Sequence, residues 1–316
     1  MRIAIAILNF NGAKLLERFL PSILKHSTEA AVYVVDNGST DDSKKLLMEK
    51  FPQVTSIILD TNLGYAAGYN KAVKEIKESI ICFLNSDVQV TQNWTTPIID
   101  FFSDNPEVAV IQPKIKDLNN PDYFEYAGAA GGFLDFMGLP YCRGRFGRSC
   151  AMDKGQYDDN TAITWASGAC FFVRKSVFET LNGFDSTFFM HFEEIDFCLR
   201  AKNMGHKIWY VGASCVYHQG AASLLRSDAR KLFYNIRNSL LTYTKSLSLP
   251  VLLWVYVARG FFDTALVLLF MVQLKFTHAD AIFQAYDSFL RHYSSAWKLR
   301  KHTSNPLQLF SSLLSR

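Results

Sequence analysis

Residues 2–37 read RIAIAILNFNGAKLLERFLPSILKHSTEAAVYVVDN, and this stretch decides the fold. Two short runs of strand-forming residues, RIAIAIL and AAVYVVD, frame it. Between them, apolar residues recur with helical spacing, at Leu15, Leu16, Phe19, Leu20, Ile23 and Leu24. A strand, a helix and a second strand in this order predict a βαβ unit with parallel strands.

The same alternation continues to about residue 85. The predicted elements are a second helix in DDSKKLLMEKF, a third strand in VTSIILD, a third helix in GYAAGYNKAVKEIK and a fourth strand in SIICFL. Ser39 or Asp41 is available to cap the second helix. The strands are almost wholly apolar, which is typical of a sheet covered on both faces. The sequence therefore predicts an α/β fold in which a mostly parallel sheet has helices on both faces.

The composition indicates a globular chain with unevenly spread charge. Of the 316 residues, 49% are hydrophobic and 20% are charged, so the chain can bury a sizeable core. Residues 226–316 contain 12 Lys/Arg and 4 Asp/Glu, a net charge of +8, whereas residues 1–225 carry a net charge of −4. A basic C-terminal piece suggests an anionic neighbour, either membrane phospholipid or nucleic acid.

The cysteines and the N-terminus favour a cytosolic protein. The six cysteines form no CxxC pair and several lie in apolar runs, which is typical of reduced, buried thiols. The N-terminal MRIAIAILNF is too short for a signal peptide, and no small-residue cleavage site follows it. We therefore interpret this segment as the first strand.

Small polar residues follow each of the four predicted strands. In open α/β sheets, ligands bind beyond the carboxyl ends of the strands, so these clusters should share one rim. The clusters are Asn9-Phe10-Asn11, Asp36-Asn37-Gly38-Ser39, Asn62-Leu63-Gly64 and Asn85-Ser86-Asp87. Such residues are also ordinary turn formers, an interpretation that explains any one cluster better than it explains four on one edge.

The strand ends suggest a nucleotide site of an uncommon type. Asp36 can accept hydrogen bonds from a base or a ribose. The first turn, NFNG, lacks a GxGxxG fingerprint, and no GxxxxGK[ST] occurs, which argues against the usual dinucleotide fold and against a P-loop ATPase. Gly64 and Gly68 flank a helix start, where glycine permits free N–H groups near an anion or, alternatively, tight packing of the helix on the sheet.

Asp87 and the triplet in HFEEIDFC are the acidic residues best suited to chemistry. Asp87 is a hard oxygen ligand for Mg²⁺ or Mn²⁺ on a diphosphate, although a single carboxylate needs substrate phosphates to complete the metal shell. Mutual repulsion in Glu193, Glu194 and Asp196 raises at least one pKa towards the range of a general base. A solvated acidic helix start is the alternative, and the apolar neighbours of the triplet argue against it.

Two further segments leave alternatives open. The Gly- and Arg-rich residues 126–149 predict a long loop over the crevice, whose arginines meet a phosphate or an acidic acceptor unless the loop is simply solvated. Residues 249–272 are long enough to span a membrane but contain Arg259 and Asp263, spaced to pair with each other. We favour an interfacial or core-packed helix over a true span.

The ordered motifs ILNFNG, VVDNGSTDDS, NLGYAAGYNKA, FLNSDV, WASGACFFVRKSVF, LNGFDSTFFMHFEEIDFCLRAKNMGHKIWYV and VYHQGAAS resemble those of family 2 glycosyltransferases. The resemblance covers residues 1 to about 245 and is strongest to rhamnosyltransferase-like bacterial members. It implies a GT-A fold, a nucleotide-diphosphate sugar donor, a divalent metal and inversion at the anomeric carbon. It also implies a catalytic domain over residues 1–225, with a nucleotide-sugar half (about 1–115) and an acceptor half (about 116–225), followed by a helical extension over residues 226–316.

The resemblance also implies roles for the acidic residues. Asn85-Ser86-Asp87 stands where the family has its DxD motif, so Asn85 replaces the first acid and Asp87 is the principal carboxylate for Mg²⁺ or Mn²⁺. His218 occupies a place where some members supply a metal ligand. Glu194 matches the catalytic base, a position that is often Asp, and Glu193 and Asp196 look like its support.

The same resemblance places the donor and the acceptor. Asp36 would hold the nucleoside, and Trp165 and Gly168 would face the acceptor. The predicted donor-binding residues are Asn9, Asp36, Asn37, Ser39, Asn62, Gly64, Gly68, Asn70, Asn85 and Ser86.

We therefore expect an inverting glycosyltransferase on the cytoplasmic face of the plasma membrane, attached through its basic C-terminal helices. Its acceptor would be a glycan or a lipid-linked glycan of a surface polysaccharide, and no nucleic-acid polymer would be a partner. A binding subunit that has lost transfer is the alternative, supported only by Asn85. A nucleotidyltransferase is disfavoured because no Gly/Lys-rich triphosphate loop is present.

Overall fold

The computed structural model describes residues 1–147, 149–220 and 228–300. Its first half is the expected repeat of strands and helices. The strands are β1 (Ile3–Asn9), β2 (Ala31–Asn37), β3 (Thr55–Leu59) and β4 (Ile80–Asn85), and the helices are α1 (Ala13–His26), α2 (Ser43–Lys50) and α3 (Gly64–Ala72). These strands pair in parallel in the order β3-β2-β1-β4, which confirms the predicted parallel sheet.

The second half completes the sheet with mixed pairing. The elements that follow are β5 (Val88–Val90), α4 (Thr96–Asp104), β6 (Val108–Asp117), β7 (Gly132–Leu134), β8 (Pro140–Cys142), β9 (Arg145–Phe146), β10 (Ser149–Cys150), β11 (Asn160–Ala162), β12 (Cys170–Arg174), α5 (Lys175–Thr180), α6 (Glu193–Asn203) and β13 (Lys207–His218). Beyond β4 the sheet continues as β12-β6-β13-β11. β12 is antiparallel to both of its neighbours, whereas β13 is parallel to β6.

Alternate side chains of each central strand enter two different cores. In β1, Ile3, Ile5 and Ile7 pack against α1, α2 and α4, while Ala4 and Ala6 face α3 and α6. Both sets are almost completely buried. The sheet therefore has helices on both faces, as the apolar strands predict.

The Gly- and Arg-rich segment is more ordered than the predicted loop. β7 pairs with β8 and β9 pairs with β10, forming two short hairpins. Arg143 donates to Asp159 and to the carbonyl of Ala130, and Arg145 donates to two backbone carbonyls. The expectation that these arginines meet a phosphate or an acidic acceptor is therefore not supported for Arg143 and Arg145; Arg148 lies outside the described residues.

Within residues 228–300, the C-terminal extension contains three helices. They are α7 (Ala229–Ser246), α8 (Leu249–Val272) and α9 (Phe276–Lys298), and they confirm the predicted helical tail. An apolar cluster joins all three helices to the segment before α6, with Phe188, Ile236, Leu240, Val267, Ala285 and Phe289 among its members. The proposed domain boundary at residues 225 and 226 lies outside the described residues.

Helix α8 has the length and composition of a membrane span. By those two criteria alone, it is the one such helix within residues 1–147, 149–220 and 228–300. Arg259 and Asp263 form the predicted pair, with 3.2 Å between Nη2 and Oδ2, and both side chains are buried. The two charges of α8 therefore face the protein interior.

Candidate active site

The carboxyl ends of the first four strands lie side by side at one edge of the sheet. In the parallel ladder Asn9 is opposite Asp36, and Leu8 is opposite Asn85. Asn37, at the end of β2, is opposite the last residue of β3. The polar residues that follow these strands therefore share one rim, which is the arrangement expected for a ligand site in an open α/β sheet.

At the end of β1 and β2, a buried hydrogen-bond network surrounds Asp36. Its carboxylate accepts from Asn9 Nδ2 at 3.3 Å and from the N–H of Ser39 at 3.0 Å. Ser39 Oγ accepts from Asn9 Nδ2 and from the N–H of Asn11. Asn9 Oδ1 is buried without a hydrogen-bond partner. These contacts fix the shape of the first turn and leave one unsatisfied acceptor within it.

The residues around the start of α3 are joined by hydrogen bonds to one another and to Phe189. Asn37 Nδ2 donates to Asn62 Oδ1 at 3.0 Å, and Asn37 Oδ1 accepts from the N–H of Leu63. The N–H of Gly64 donates to Asn62 Oδ1, and the N–H of Tyr65 donates to the Phe189 carbonyl. The expectation that free N–H groups lie at this helix start is therefore wrong for residues 63, 64 and 65.

Close packing explains why glycine stands at positions 64 and 68 of α3. Gly64 has a φ of +78°, and a Cβ there would come within 2.3 Å of the Phe189 carbonyl oxygen. A Cβ on Gly68 would come within 2.9 Å of Leu8 on β1, so close helix–sheet packing explains this residue. Asn70 Nδ2 donates to the Phe184 carbonyl at 2.7 Å, and Asn70 Oδ1 accepts from the N–H of Phe184 at 2.9 Å. Asn70 thus ties α3 to the segment before α6.

The short strand β5 brings His218 next to Asp87. β5 pairs antiparallel with the end of β13, with His218 opposite Val88. His218 Nε2 lies 3.1 Å from Asp87 Oδ1 and 3.4 Å from Asn85 Nδ2. Asp87 and His218 are buried, whereas Asn85 and Ser86 are half-buried at the crevice. The structure therefore brings together the three residues predicted to hold the metal.

Glu125 is a fourth member of this cluster that sequence reasoning missed. This buried carboxylate lies 3.7 Å from His218 Nδ1. Burial alone would lower the pKa of His218, but the hydrogen bonds to Asp87 and Glu125 outweigh burial and raise that pKa to about 10. Glu125 lies in an irregular segment 93 positions before His218, so no local motif reveals it.

The acidic pair lies at the first turn of α6. Glu193 is buried and Glu194 is half-buried, and each has a buried Oε2 atom with no hydrogen-bond partner. Burial raises the pKa of Glu194 to about 7. Burial, followed by repulsion from Glu194, raises the pKa of Glu193 well above its usual range. Desolvation is thus the larger cause, rather than the mutual repulsion on which the sequence prediction relied.

Asp196 serves a different purpose from its two neighbours. It is fully buried, and it accepts from Arg200 Nε at 2.7 Å and from Thr242 Oγ1 at 3.2 Å. Lys245 Nζ of α7 lies 2.5 Å from Oδ1, the same oxygen that accepts from Thr242. Asp196 is therefore the anchor of α6 on α7, which is a correction to its predicted place among the catalytic residues.

Residues 168 and 169 connect the two acidic regions. The Gly168 carbonyl accepts from Tyr65 Oη at 2.9 Å, and a Cβ on Gly168 would lie 3.9 Å from the carboxyl carbon of Glu194. The Ala169 carbonyl accepts from the N–H of Asn85 at 3.0 Å. Residues 168 and 169 therefore link the surroundings of Glu194 to the end of β4, which carries Asn85.

Trp165, predicted to face the acceptor, is almost completely buried. Its indole N–H donates to the Phe133 carbonyl at 2.8 Å, and its ring lies against Gly132, where a Cβ would come within 2.2 Å. The described contacts of Trp165 hold the β7–β8 hairpin in place. Gly168, by contrast, adjoins Glu194 directly.

Known proteins are similar to this chain in sequence and in architecture. The profile of Glycosyl transferase family 2 matches residues 4–181. N-acetylglucosaminyl-diphospho-decaprenol L-rhamnosyltransferase of Mycobacterium tuberculosis is 28% identical over 236 residues, covering 69% of this chain and 76% of that protein. Rhamnosyltransferase WbbL of Escherichia coli is 42% identical over 167 residues, covering 49% of this chain and 60% of that protein.

Solved structures support the fold. The mannosyltransferase PcManGT of Pyrobaculum calidifontis, solved with GDP-Man and Mn²⁺, superposes with a TM-score of 0.56 at 14% identity, covering 92% of this chain and 87% of that one. The fold is GT-A, as the motif resemblance implies. With the family profile matching more than half of its 316 residues, the chain belongs to glycosyl transferase family 2 and is a glycosyltransferase.

Proposed function

We propose that this glycosyltransferase moves a sugar from a nucleotide-diphosphate donor to an acceptor hydroxyl with inversion, and that Glu194 is the base. The observation that supports the proposal is that residues 168 and 169 connect two regions: Ala169 bonds Asn85, which lies beside Asp87 and His218, and Gly168 lies next to the desolvated carboxylate of Glu194. The named relatives suggest a deoxyhexose such as rhamnose as the sugar and a lipid-linked glycan as the acceptor. The product would enter polysaccharide synthesis.

The proton transfer follows from the position of Glu194. A half-buried carboxylate with a pKa of about 7 is ionised in a large fraction of molecules at neutral pH, and it still binds a proton well. Glu194 accepts the acceptor proton while the acceptor oxygen bonds to the anomeric carbon. The bond from that carbon to the phosphate oxygen breaks on the opposite face, and its electron pair leaves with the nucleoside diphosphate.

The residues near Asp87 fit a divalent cation bound together with substrate. Asp87 would supply a carboxylate, Asn85 an amide, and His218 the imidazole Nε2 that lies 3.1 Å from Asp87 Oδ1. Because the pKa of His218 is raised, this imidazole would have to release its proton when a cation binds. In the part of the chain that the structure describes, no group of three or more His, Cys, Asp or Glu side chains could hold a metal alone. Phosphate oxygens would therefore complete the shell. A bound cation neutralises charge on the departing diphosphate.

The base assignment is tested by Glu194→Gln. We expect turnover to fall about a hundredfold or more while donor binding persists, because the amide keeps the shape but cannot take the proton. A panel of nucleotide sugars, with transfer followed by product analysis and donor binding by calorimetry, measures both quantities. Glu193→Gln is the matched control, since a carboxyl that is already neutral should lose far less. Near-wild-type turnover in Glu194→Gln would refute the assignment.

The metal assignment is tested by chelation and by Asp87→Ala. Chelator treatment of the pure enzyme should abolish transfer, and Mn²⁺ should restore it. Calorimetric titration of Mn²⁺ in the presence of nucleoside diphosphate should show at least about tenfold weaker binding in the variant, because the principal carboxylate is gone. Asp60→Ala, on the exposed turn after β3, is the control. Undiminished transfer in the presence of chelator would remove the metal from the proposal.

A non-catalytic binding subunit is not favoured. Its support was the replacement of the first DxD acid by Asn85, and this amide lies within the cluster at 3.4 Å from His218. Slow hydrolysis of the donor in the presence of metal would distinguish an enzyme from a binding subunit.

We also propose that α8 lies on the cytoplasmic leaflet of the plasma membrane. Its exposed stripe is mostly apolar and includes Leu253, Trp254, Val257, Phe261, Leu268 and Val272, with the polar Thr264 among them. Because Arg259 and Asp263 pair inside the protein, this stripe carries no charge. The surplus of positive charge in residues 226–316 suits an anionic leaflet. These features favour a helix in the plane of the interface.

A further inference from the structure

The turn that precedes α6 has an unusual backbone. His191 has a φ of +66° and Phe192 a φ of +76°, so two consecutive residues with side chains adopt the left-handed conformation. Phe192 is the N-cap of α6, a position that normally has an extended backbone. Such conformations persist only where the surroundings hold them. The next two residues are Glu193 and Glu194, so this turn sets the direction in which both carboxylates leave the backbone.

Helix α7 holds this turn through one side chain. Asn238 is completely buried, and its Nδ2 donates to the Met190 carbonyl at 3.0 Å and to the His191 carbonyl at 2.7 Å. Its Oδ1 accepts from Arg237 Nε at 2.8 Å. An amide that donates to two successive carbonyls defines the orientation of both peptide groups that flank His191.

The remainder of the turn is held on both sides. The Phe189 carbonyl accepts from the N–H of Tyr65 at 2.8 Å, which fixes the start of the segment on α3. The Phe192 ring packs edge-on against Tyr243 of α7, with 5.9 Å between ring centroids. Asn238 is the one member of this set that bonds the peptides on both sides of His191.

We propose that Asn238 is a positioning residue for the transfer reaction: it holds the left-handed turn at residues 191 and 192 and thereby aims Glu194 at the acceptor hydroxyl. The proposal rests on the proposed role of Glu194 as the base. It assigns the C-terminal extension a part in catalysis that is separate from any role in membrane attachment. Since the donor cluster at Asp87 lies on other elements, donor binding should not depend on Asn238.

The test is Asn238→Leu, which keeps the shape of the side chain and removes both donors. We expect kcat to fall about tenfold to a hundredfold, because a displacement of about 1 Å costs that much, while the donor KM stays within about twofold. The midpoint of the kcat–pH profile should also shift, since Glu194 would occupy a different environment. Asn238→Ser, which is smaller and polar, should show the same split and serves if the leucine variant does not fold.

Thr244→Val is the matched control. Thr244 is also buried on α7, but its hydroxyl bonds Leu240 and Tyr256 within the helical extension and does not contact residues 189–196. We expect Thr244→Val to lose about as much thermal stability as Asn238→Leu, while its kcat stays within about twofold of the wild-type value. Equal kcat values in the Asn238 and Thr244 variants would overturn the proposal.

A rescue experiment tests the turn itself. Asn adopts the left-handed conformation more readily than His, so His191→Asn should recover part of the kcat lost in Asn238→Leu. No recovery would show that Asn238 acts by another route and would also overturn the proposal. The outcomes are separable from the base assignment, because an inactive Glu194→Gln alongside a fully active Asn238→Leu would reject only the positioning role.

Discussion

At the residue scale, burial is the main physical cause of the unusual acid–base properties of this site. Glu193 and Glu194 leave the first turn of α6, where backbone N–H groups favour a carboxylate, yet desolvation outweighs that effect in both. A neutral Glu193 beside an ionisable Glu194 is the result. Two adjacent carboxyls with separated proton affinities are a common arrangement in sites that transfer protons.

The pH dependence of the reaction should report Glu194. The base must be deprotonated, so kcat/KM should rise as the pH increases through about 7 and should be lost below it. Profiles recorded at constant ionic strength give the midpoint for the free enzyme. Glu193→Gln should leave that midpoint nearly unchanged, because Glu193 is already neutral there. A midpoint near the ordinary carboxyl value of 4.5 would contradict desolvation of Glu194.

At the element scale, the catalytic helix α6 depends on the helical extension for its position. Lys245 of α7 is buried between two carboxylates, at 2.5 Å from Asp185 and at 2.5 Å from Asp196. Burial alone would raise the pKa of Asp185, but Lys245 outweighs it and lowers that pKa to about 2. Asp185 therefore stabilises the fold above its ordinary pKa of 3.8, and this contribution is lost as the pH falls towards 2.

Lys245→Met should destabilise the protein strongly. Removing the cation leaves the half-buried Asp185 without a cationic partner and the fully buried Asp196 with Arg200 alone. Breaking a buried pair costs about 3–5 kcal/mol. Denaturant unfolding at neutral pH measures the loss. The comparison is Lys50→Met, which breaks an exposed pair with Glu17 and should cost about 0.5 kcal/mol or less. Equal losses in the two variants would show that Lys245 contributes no more than a surface charge.

At the scale of the whole molecule, the two surfaces for which we propose functions are built from different parts of the chain. The crevice lies at the carboxyl edge of the parallel strands, and the exposed stripe of α8 lies on the C-terminal extension. Asp196 of α6 pairs with Lys245 and Thr242 of α7, and an apolar cluster joins Phe188, before α6, to α7, α8 and α9, so the two parts are packed together. If the acceptor is lipid-linked, as we propose, the enzyme would thus carry its own membrane contact.

Membrane attachment should depend on the α8 stripe. Phe261→Glu combined with Leu268→Glu should lower binding to anionic phospholipid vesicles about tenfold or more, because charged residues replace apolar surface that would enter the interface. Co-sedimentation at low salt measures this. Met48→Glu with Ile58→Glu, two exposed apolar residues on α2 and β3, is the matched control and should bind as wild type does. Full recovery of the wild-type protein in the supernatant would contradict the proposal.

Much of the first half could be predicted because its signals are local. The apolar runs of β1 to β4 and the helical spacing of α1 lie within short windows, and parallel pairing follows from their alternation. The segment 163–169 shows where this fails. Its residues resemble a strand that continues into β12, but in the structure they lie outside the sheet and include Trp165 and Gly168. The strand propensity of these residues does not reveal their position outside the sheet, because tertiary packing causes it.

The site was predictable in its chemistry and less so in its contacts. Asp87, His218 and Glu194 belong to ordered motifs, and the structure brings Asp87 and His218 into contact. Glu125, Asn238 and Lys245 follow no motif, since each acts through a partner far away in the chain. Asn70, Gly68 and Asp196 stand in motifs but are explained by their packing or pairing with neighbouring elements.

The amino-acid sequence by itself determined the parallel α/β architecture, the polar rim and the identity of the acidic residues, because period, strand ends and residue type are properties of short stretches. Only the tertiary structure decided which of those residues remain available to a substrate. Burial sets the pKa of Glu194, the antiparallel pairing of β5 with β13 places His218 on Asp87, and α7 holds the turn before α6. Each of these depends on which distant groups share a space, and that information resides in the packing of elements.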